Sequence, residues 1–522
     1  MTGFMLYQKL NGKWRDDKMS DKYQNTELIP EERAAYLLEE LSLDEKVAQL
    51  NCVFPFDKAS YDFAGINEQT KHGIGQVSTL EMRRMESLDE VVRWQRKVQR
   101  IVMENSPHRI PAIFHMEGLC GAFIQDSTSF PSGIGRGAGW NPKLEEKIAE
   151  IVSRQEAACG ITHVFAPVLD ISRDSRMGRQ GETYGEDPVL TASLGSAYTK
   201  GCQKYETAGR RTESVAKHFL AFHNSAAGIH GANSDTPERL LEEIYGKPFQ
   251  AAITEAGLRG IMPCYCLING EPASASHHLL TELLREEMGF DGLCVSDYGA
   301  INNAFMFQGI GETKEETGLL CLEAGMDMEL PSVEEAFKNL FASGRADMDI
   351  LDRAVKRVLT AKFRMGLFEH PFALEGEELR RVFMNKKDKE ISLQSAKESM
   401  VLIKNNGVLP IQKSVKKIAL IGPHADSPRK FFGGYTHMCM MESTYAIANS
   451  IAGVSGSENV DNKEIVTVPG TNIQSDETPE FDVILKRQKP DCRSILEELK
   501  AQMPDAEIRY AYGYPIAGKD TR

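Results

Sequence analysis

The sequence predicts an α/β protein, a (β/α)8 TIM-like barrel followed by a partial α/β sandwich domain. Three observations predict it. Short apolar strand candidates recur near residues 51–54, 73–79, 110–116, 162–169, 213–221, 259–267, 292–296 and 326–330. Most gaps between them carry helical apolar spacing, clearest over Leu88–Met103, Leu144–Ala158, Leu190–Cys202, Pro237–Ala256, Leu279–Met288 and Lys314–Glu323. No GxGxxG opens a helix after the first strand, which counts against the rival, a doubly wound open sheet. Eight strand–helix units within about 300 residues suit a closed α/β barrel.

Taken in order, residues 1–28 are polar without a strong period and read as a loosely held arm. The barrel is placed at 29–368. Its first helix starts at Pro30-Glu-Glu-Arg and runs to Leu41, and Leu43–Leu50 forms a second. The seventh strand is representative: Leu293, Cys294 and Val295 form an apolar run between a Gly-containing turn and the polar cluster Ser296-Asp-Tyr-Gly299. Such a run suits a strand buried on both faces. The helix over 349–365, with Gly366 as its stop, closes the barrel. The charged, loop-like stretch 369–390 is read as the interdomain linker. Residues 391–522 form the second domain, with a helix at Ile391–Met400, a strand at Lys417–Pro423 and a glycine-, methionine- and histidine-rich loop at 425–445. A helix at Ile495–Gln502 and a strand at Ala506–Gly513 follow. These strands are too few for a finished layer structure, so this domain reads as cut short.

The chain has 522 residues, 41% of them hydrophobic, and a net charge of −14. That balance argues against a broad nucleic-acid surface. No run approaches the ~18 apolar residues of a membrane helix, and the start carries Lys and Trp where a signal peptide is apolar. The ten cysteines follow no framework spacing, and several, such as Cys294 and Cys321, lie in apolar runs. They are read as reduced thiols in a reducing compartment, the cytoplasm, with no metal site. The partner expected is a small ligand, neither nucleic acid nor membrane; a homodimer stays open.

The polar residues at the strand tips suggest which ligand. The third strand ends at His115-Met-Glu117 and the fourth near Asp170 and Arg173. The fifth carries Lys217 and His218, the sixth Tyr265, the seventh Asp297 and the eighth Glu329. In a closed barrel these tips meet at one mouth. Taken singly, Asp297 reads as a helix cap, Glu117 as an ion-pair partner, and Arg173 as part of a surface loop. Lys217 and His218 within an apolar run are harder to dismiss, since buried Lys is rare without a partner. Together the set makes a hydrogen-bonding cup for a polyhydroxylated ligand.

Five motifs extend that reading. They are Leu43-Asp-Glu-Lys-Val-Ala-Gln-Leu50; Phe165–Arg179 with Glu182-Thr-Tyr-Gly-Glu-Asp187; Lys217-His-Phe219; Tyr265 with Asn269-Gly270; and Val295-Ser-Asp-Tyr-Gly-Ala300. On them, the chain resembles glycoside hydrolase family 3 from about residue 31 to its end. The resemblance implies a retaining glycosidase in which Asp297 attacks the anomeric carbon and forms a covalent glycosyl-enzyme. It implies that Glu117, Arg173, Lys217, His218 and Tyr265 line the subsite for the non-reducing-end sugar. Tyr298, where many members have Trp, is placed beside the leaving-group subsite. No cofactor and no metal is implied.

The resemblance also implies a general acid. In β-glucosidase-like members it is a Glu of the second domain, after a segment resembling Tyr510-Ala-Tyr-Gly-Tyr514, and the chain reaches Arg522 before that Glu is expected. The acids of Ser475–Asp482 fall too early, and Glu442 is better read as a surface residue. A branch acting on N-acetylglucosaminides uses a His oriented by an Asp in the loop after the fifth strand. That loop holds His223, His230 and Asp235, but Phe222 occupies the expected His position. The expectation is therefore a β-glycosidase releasing terminal, non-reducing β-linked sugars, with β-glucose favoured. The alternatives are β-xylosidase, β-N-acetylglucosaminidase, a sugar-binding fragment lacking the acid, and a Schiff-base enzyme using Lys217.

Overall fold

Seven short strands form one parallel sheet in chain order. They are β1 (Cys52–Val53), β2 (Gln76–Ser78), β3 (Ile113–Met116), β4 (His163–Val164), β5 (Glu213–Phe219), β6 (Gly260–Pro263) and β7 (Leu293–Cys294). The computed structural model describes residues 22–55, 63–330, 336–446 and 479–513. Most of the expected N-terminal arm, and the acids at 475–478, lie outside the described residues. Every residue of the seven strands is buried. A parallel sheet covered on both faces requires this, and it is why the strands read as nearly unbroken apolar runs.

Several strands are shorter than the runs that predict them. β4 covers two residues of the expected 162–169, because Pro167 has no amide hydrogen to continue the ladder. The expected eighth strand is present as a single parallel bridge between Val295 and Met328. The Cys294 carbonyl accepts from the amides of Asp327 and Met328 at 2.8 and 3.2 Å, and the Glu329 amide donates to the Leu50 carbonyl at 3.1 Å. This stretch therefore bonds to β7 on one side and to the residues entering β1 on the other.

Helices α1 (Pro30–Glu40), α2 (Leu43–Leu50), α3 (Leu88–Asn105), α4 (Pro142–Ala158), α5 (Pro188–Gln203), α6 (Lys247–Ala256), α7 (Lys314–Ala324) and α8 (Met348–Arg364) flank the sheet. Side-chain oxygens of Ser42, Ser87, Asn141, Asp187, Thr313 and Asp347 accept first-turn amides of α2, α3, α4, α5, α7 and α8. These caps satisfy donors that have no partner within the helix. Gly75 lets β2 start hard against α2: a Cβ there would lie 2.1 Å from the Gln49 carbonyl oxygen.

Two expected helices differ. The span 237–256 divides into Glu238–Leu240, a π-type turn over Leu241–Tyr245, and α6. Pro248 cannot donate back to Ile244, so the regular ladder is interrupted there. The helix expected at 279–288 has π-type bonding over His278–Glu287. The stretch expected to be a loop-like linker, 369–390, carries the helix Gly376–Phe383 and the start of another, Lys386–Glu398.

Further on, β8 (Lys417–Ile421) and β9 (Glu507–Ala511) pair in parallel. Both alternate exposed and half-buried residues, unlike the first sheet. The loop expected at 425–445 is partly helical, over His437–Ala446. This region touches the first one: His437 bonds the Arg83 carbonyl at 3.1 Å, and Ser392 Oγ donates to the Ser129 carbonyl at 2.6 Å. Among the described residues, no helix is long and apolar enough to cross a membrane.

Candidate active site

The turn after β7 presents Asp297. Its amide neighbours are fixed by the strand bridge: Ser296 donates to the Met328 carbonyl, and Ser296 Oγ accepts from the Leu330 amide at 2.8 Å. Gly299, at φ +67°, turns the chain toward the helix Ala300–Met306 in a conformation that favours glycine. Asp297 does not cap that helix with its side chain. Its Oδ1 instead accepts the next amide, Tyr298 N–H, at 2.7 Å. Oδ2 is buried and has no hydrogen-bond partner among the described residues.

β5 supplies the two residues beside it. The strand shifts register after Lys217, pairing Lys217 with Met262 but Phe219 with Pro263. Lys217 Nζ meets Glu117 Oε2, from just beyond β3, at 2.5 Å, and both are almost fully buried. Burial pushes the Glu117 carboxyl up and Lys217 opposes that shift. His218 Nδ1 lies 2.7 Å from Asp170 Oδ2, and His218 Nε2 lies 3.6 Å from Asp297 Oδ2. Burial, then Arg179 and Lys217, holds the His218 imidazole well below its usual range, so it is neutral. Burial likewise pushes Asp170 up to about 8 against the pull of Arg179.

Arg179 decides the tautomer of that ring. Its Nη2 is 3.1 Å from His218 Nε2, and a guanidinium only donates. Nε2 therefore accepts, and the single ring proton sits on Nδ1, donated to Asp170. Arg179 is held by Glu182 through two bonds of 2.7 and 2.8 Å. Arg173, expected in this cup, is exposed instead, with Nε 3.4 Å from the Glu186 carbonyl. The two arginines lie six residues apart in one motif, and spacing alone does not reveal which the loop turns inward.

Tyr265 and Tyr298 meet through the backbone. Tyr265 donates its hydroxyl to the Tyr298 carbonyl at 2.7 Å, and burial with the nearby Asp297 carboxylate pushes its phenol up. The half-buried Tyr298 ring packs on Phe54 at 5.4 Å and on His115 and Phe165 at about 6 Å between centroids. Tyr435 arrives from the later part of the chain. Its hydroxyl is 3.4 Å from Arg179 Nη2, and Lys217 Nζ lies 5.2 Å from its ring centre. Sequence reasoning passed over Tyr435, whose loop carried no sign beyond its Gly433-Gly434 turn.

The two histidines of the loop after β5 divide. His223 is buried with Nε2 3.9 Å from Asp170, and His230 lies 3.3 Å from Arg179 Nη1. Asp235 instead accepts from the Asn233 amide group. Glu442 pairs with Arg429 at 2.9 Å. The arrangement offers one ionisable carboxylate with a free oxygen, set among donors and acceptors suited to hydroxyl groups.

Residues 42–361 match the N-terminal domain of glycosyl hydrolase family 3. A β-xylosidase from Formosa agariphila is 34% identical over 354 residues, 63% of this chain and 49% of that protein. The periplasmic β-glucosidase of Salmonella typhimurium is 31% identical over 469 residues, 87% of this chain and 58% of its own length. A solved β-glucosidase structure from Erythrobacter marinus superposes with a TM-score of 0.75 at 28% identity, covering 96% of this chain and 69% of that one. The chain spans about half the length of the curated relatives it matches. With a family match over most of its length and the strand-tip carboxylate in place, the chain belongs to glycoside hydrolase family 3.

Proposed function

We propose that the protein is a retaining β-glycosidase, acting on terminal β-linked glucose or xylose, with Asp297 as its nucleophile on a closed (β/α)8 barrel. One observation carries this reading: Asp297 Oδ2 is a buried carboxylate oxygen without a hydrogen bond among the described residues, at a strand tip ringed by Glu117, Lys217, His218 and Arg179. The carboxylate forms a bond to the anomeric carbon while the glycosidic bond breaks, and water later hydrolyses the glycosyl ester. Glu117, Lys217, Arg179 and Tyr265 supply the directional partners that sugar hydroxyls require. The relatives' names divide between glucosidase and xylosidase, so both sugars stand. The general acid is assigned to none of the described residues, since Glu442 is bound to Arg429. All ten cysteines are free thiols, which supports a cytoplasmic setting.

The test is covalent labelling by 2-deoxy-2-fluoro glucosides and xylosides carrying a dinitrophenyl leaving group, which departs without protonation. The wild type gains one glycosyl mass on Asp297. Asp297→Asn loses labelling, with the rate down by at least about a thousandfold, the scale of removing a covalent nucleophile. Labelling that persists in Asp297→Asn would end this assignment.

A further inference from the structure

We propose that Tyr298 is a positioning residue that holds Asp297 through the backbone, leaving Oδ2 as the only oxygen that attacks. The inference rests on the nucleophile reading above. Tyr298 was expected beside the leaving group; its ring is half-buried and packs on an aromatic layer. It meets Phe54 edge-on at 5.4 Å, Phe165 at 6.2 Å and His115 at 6.1 Å. His115 in turn stacks on Phe165 at 4.5 Å. The bed beneath is hydrogen-bonded across three strands: His115 Nδ1 to Gln76 Oε1 at 2.8 Å, and Gln76 Nε2 to His163 Nδ1 at 3.2 Å. A ring set into such a layer has little freedom, because close-packed interiors transmit displacement rather than absorb it.

The backbone of the same residue holds the chemistry. Its N–H donates to Asp297 Oδ1 at 2.7 Å, and its carbonyl accepts the Tyr265 hydroxyl at 2.7 Å. The following amide, Gly299, donates to the Leu330 carbonyl at 2.5 Å. Anchoring the ring therefore fixes the Asp297–Tyr298 peptide, and that peptide orients the carboxylate. Oδ1 is occupied. Oδ2 faces His218 Nε2 at 3.6 Å, but that nitrogen already accepts from Arg179 and has no proton to give. Two lone pairs do not bond, so Oδ2 keeps its own free. In the step itself, an Oδ2 lone pair forms the bond to the anomeric carbon. The bond to the leaving group breaks, and that group departs with its electron pair. The Tyr298 hydroxyl has no hydrogen-bond partner among the described residues, so the ring and not the hydroxyl does the positioning.

The experiment separates affinity from bond formation with two 2-deoxy-2-fluoroglucosyl probes, one with dinitrophenolate and one with fluoride as leaving group, read by intact mass. Tyr298→Phe is expected to label within about twofold of wild type. Tyr298→Ala is expected to slow bond formation about a hundredfold, equally for both probes, with affinity little changed, the scale of a small misplacement of a reacting atom. Tyr298→Leu, which retains apolar bulk, replaces the Ala variant if that one does not fold by near-ultraviolet circular dichroism. A loss confined to affinity, or to the dinitrophenyl probe, makes Tyr298 a leaving-group wall and overturns the proposal. So does wild-type labelling by the Ala variant. A wild type that neither the glucosyl nor the matching xylosyl probes label overturns the nucleophile reading itself, and the positioning role with it.

Discussion

Glu156, on α4, is fully buried, and neither of its carboxylate oxygens has a hydrogen-bond partner among the described residues. Burial, then the Glu117 carboxylate, pushes its carboxyl well above the usual range. The sign follows from linkage. The folded state holds this proton where the unfolded chain has released it, so stability falls as pH rises from about 4.5, the unfolded value. Glu117 and Asp170 share that direction. Glu156→Gln removes one of these protons. Thermal melts at pH 5 and pH 8 should therefore show a smaller loss on raising the pH in the variant than in the wild type, by about 1–3 kcal/mol. Equal pH slopes would mean that Glu156 is ionised without cost. At this scale the grouping of these side chains, though not their roles, was legible by residue type and strand tip. Glu117, Lys217, His218, Tyr265 and Asp297 converge because tips of parallel strands must. Arg173 faces solvent and Arg179 the cup, a difference the sequence does not reveal because both lie in one irregular loop, where no period tells the inward side chain from the outward.

Asp327 joins three elements. Its Oδ2 accepts from Arg285 at 2.7 Å and from the Cys294 amide at 2.9 Å, and its Oδ1 accepts from Arg357 on α8 at 2.9 Å. One buried carboxylate thus ties β7, the π-helical segment His278–Glu287 and α8 together. Asp327→Ala leaves the Cys294 amide unpaired and takes a carboxylate from both guanidinium groups, although Arg285 keeps the Gly292 and Gly325 carbonyls. The expected cost is about 3–5 kcal/mol of unfolding free energy, the usual penalty for breaking a buried pair from one side. Urea titration reads it as a lower midpoint at constant slope. Elements with strong periods were legible almost to the residue, as for α2, which spans Leu43–Leu50, and the helix Ile495–Gln502. Strand lengths were not. Apolar runs continue past the last ladder bond, since the residues beyond β4 and β7 are still buried while their backbone turns toward the mouth. The linker misled for the opposite reason: a helix as polar as Gly376–Phe383 hides among charges, with only Leu379 buried.

Over the whole molecule the two regions differ in how well they cover their apolar residues. The first buries its sheet throughout. The later region leaves Met400, Val401, Leu402 and Ile403 exposed in a row, Ile403 at 94%, with Val408 and Leu409 exposed nearby. The parallel pair β8–β9, later in the chain, shows no fully buried residue. Among the described residues past 390 the strands are β8 and β9, and the sequence does not tell which side chains there face solvent. Contiguous exposed apolar surface of this kind drives association in water. The protein is expected to self-associate with rising concentration, and replacing Leu402 and Ile403 together by Lys should shift it toward monomer. Sedimentation velocity over a concentration series checks both statements. The same double variant leaves the strand-tip site untouched, so its labelling rate by the fluoroglycoside probes should match the wild type. A wild type that stays monomeric across the series would show that these side chains are tolerated in solvent. A double variant that loses labelling would show that the later region supports the mouth through more than Tyr435.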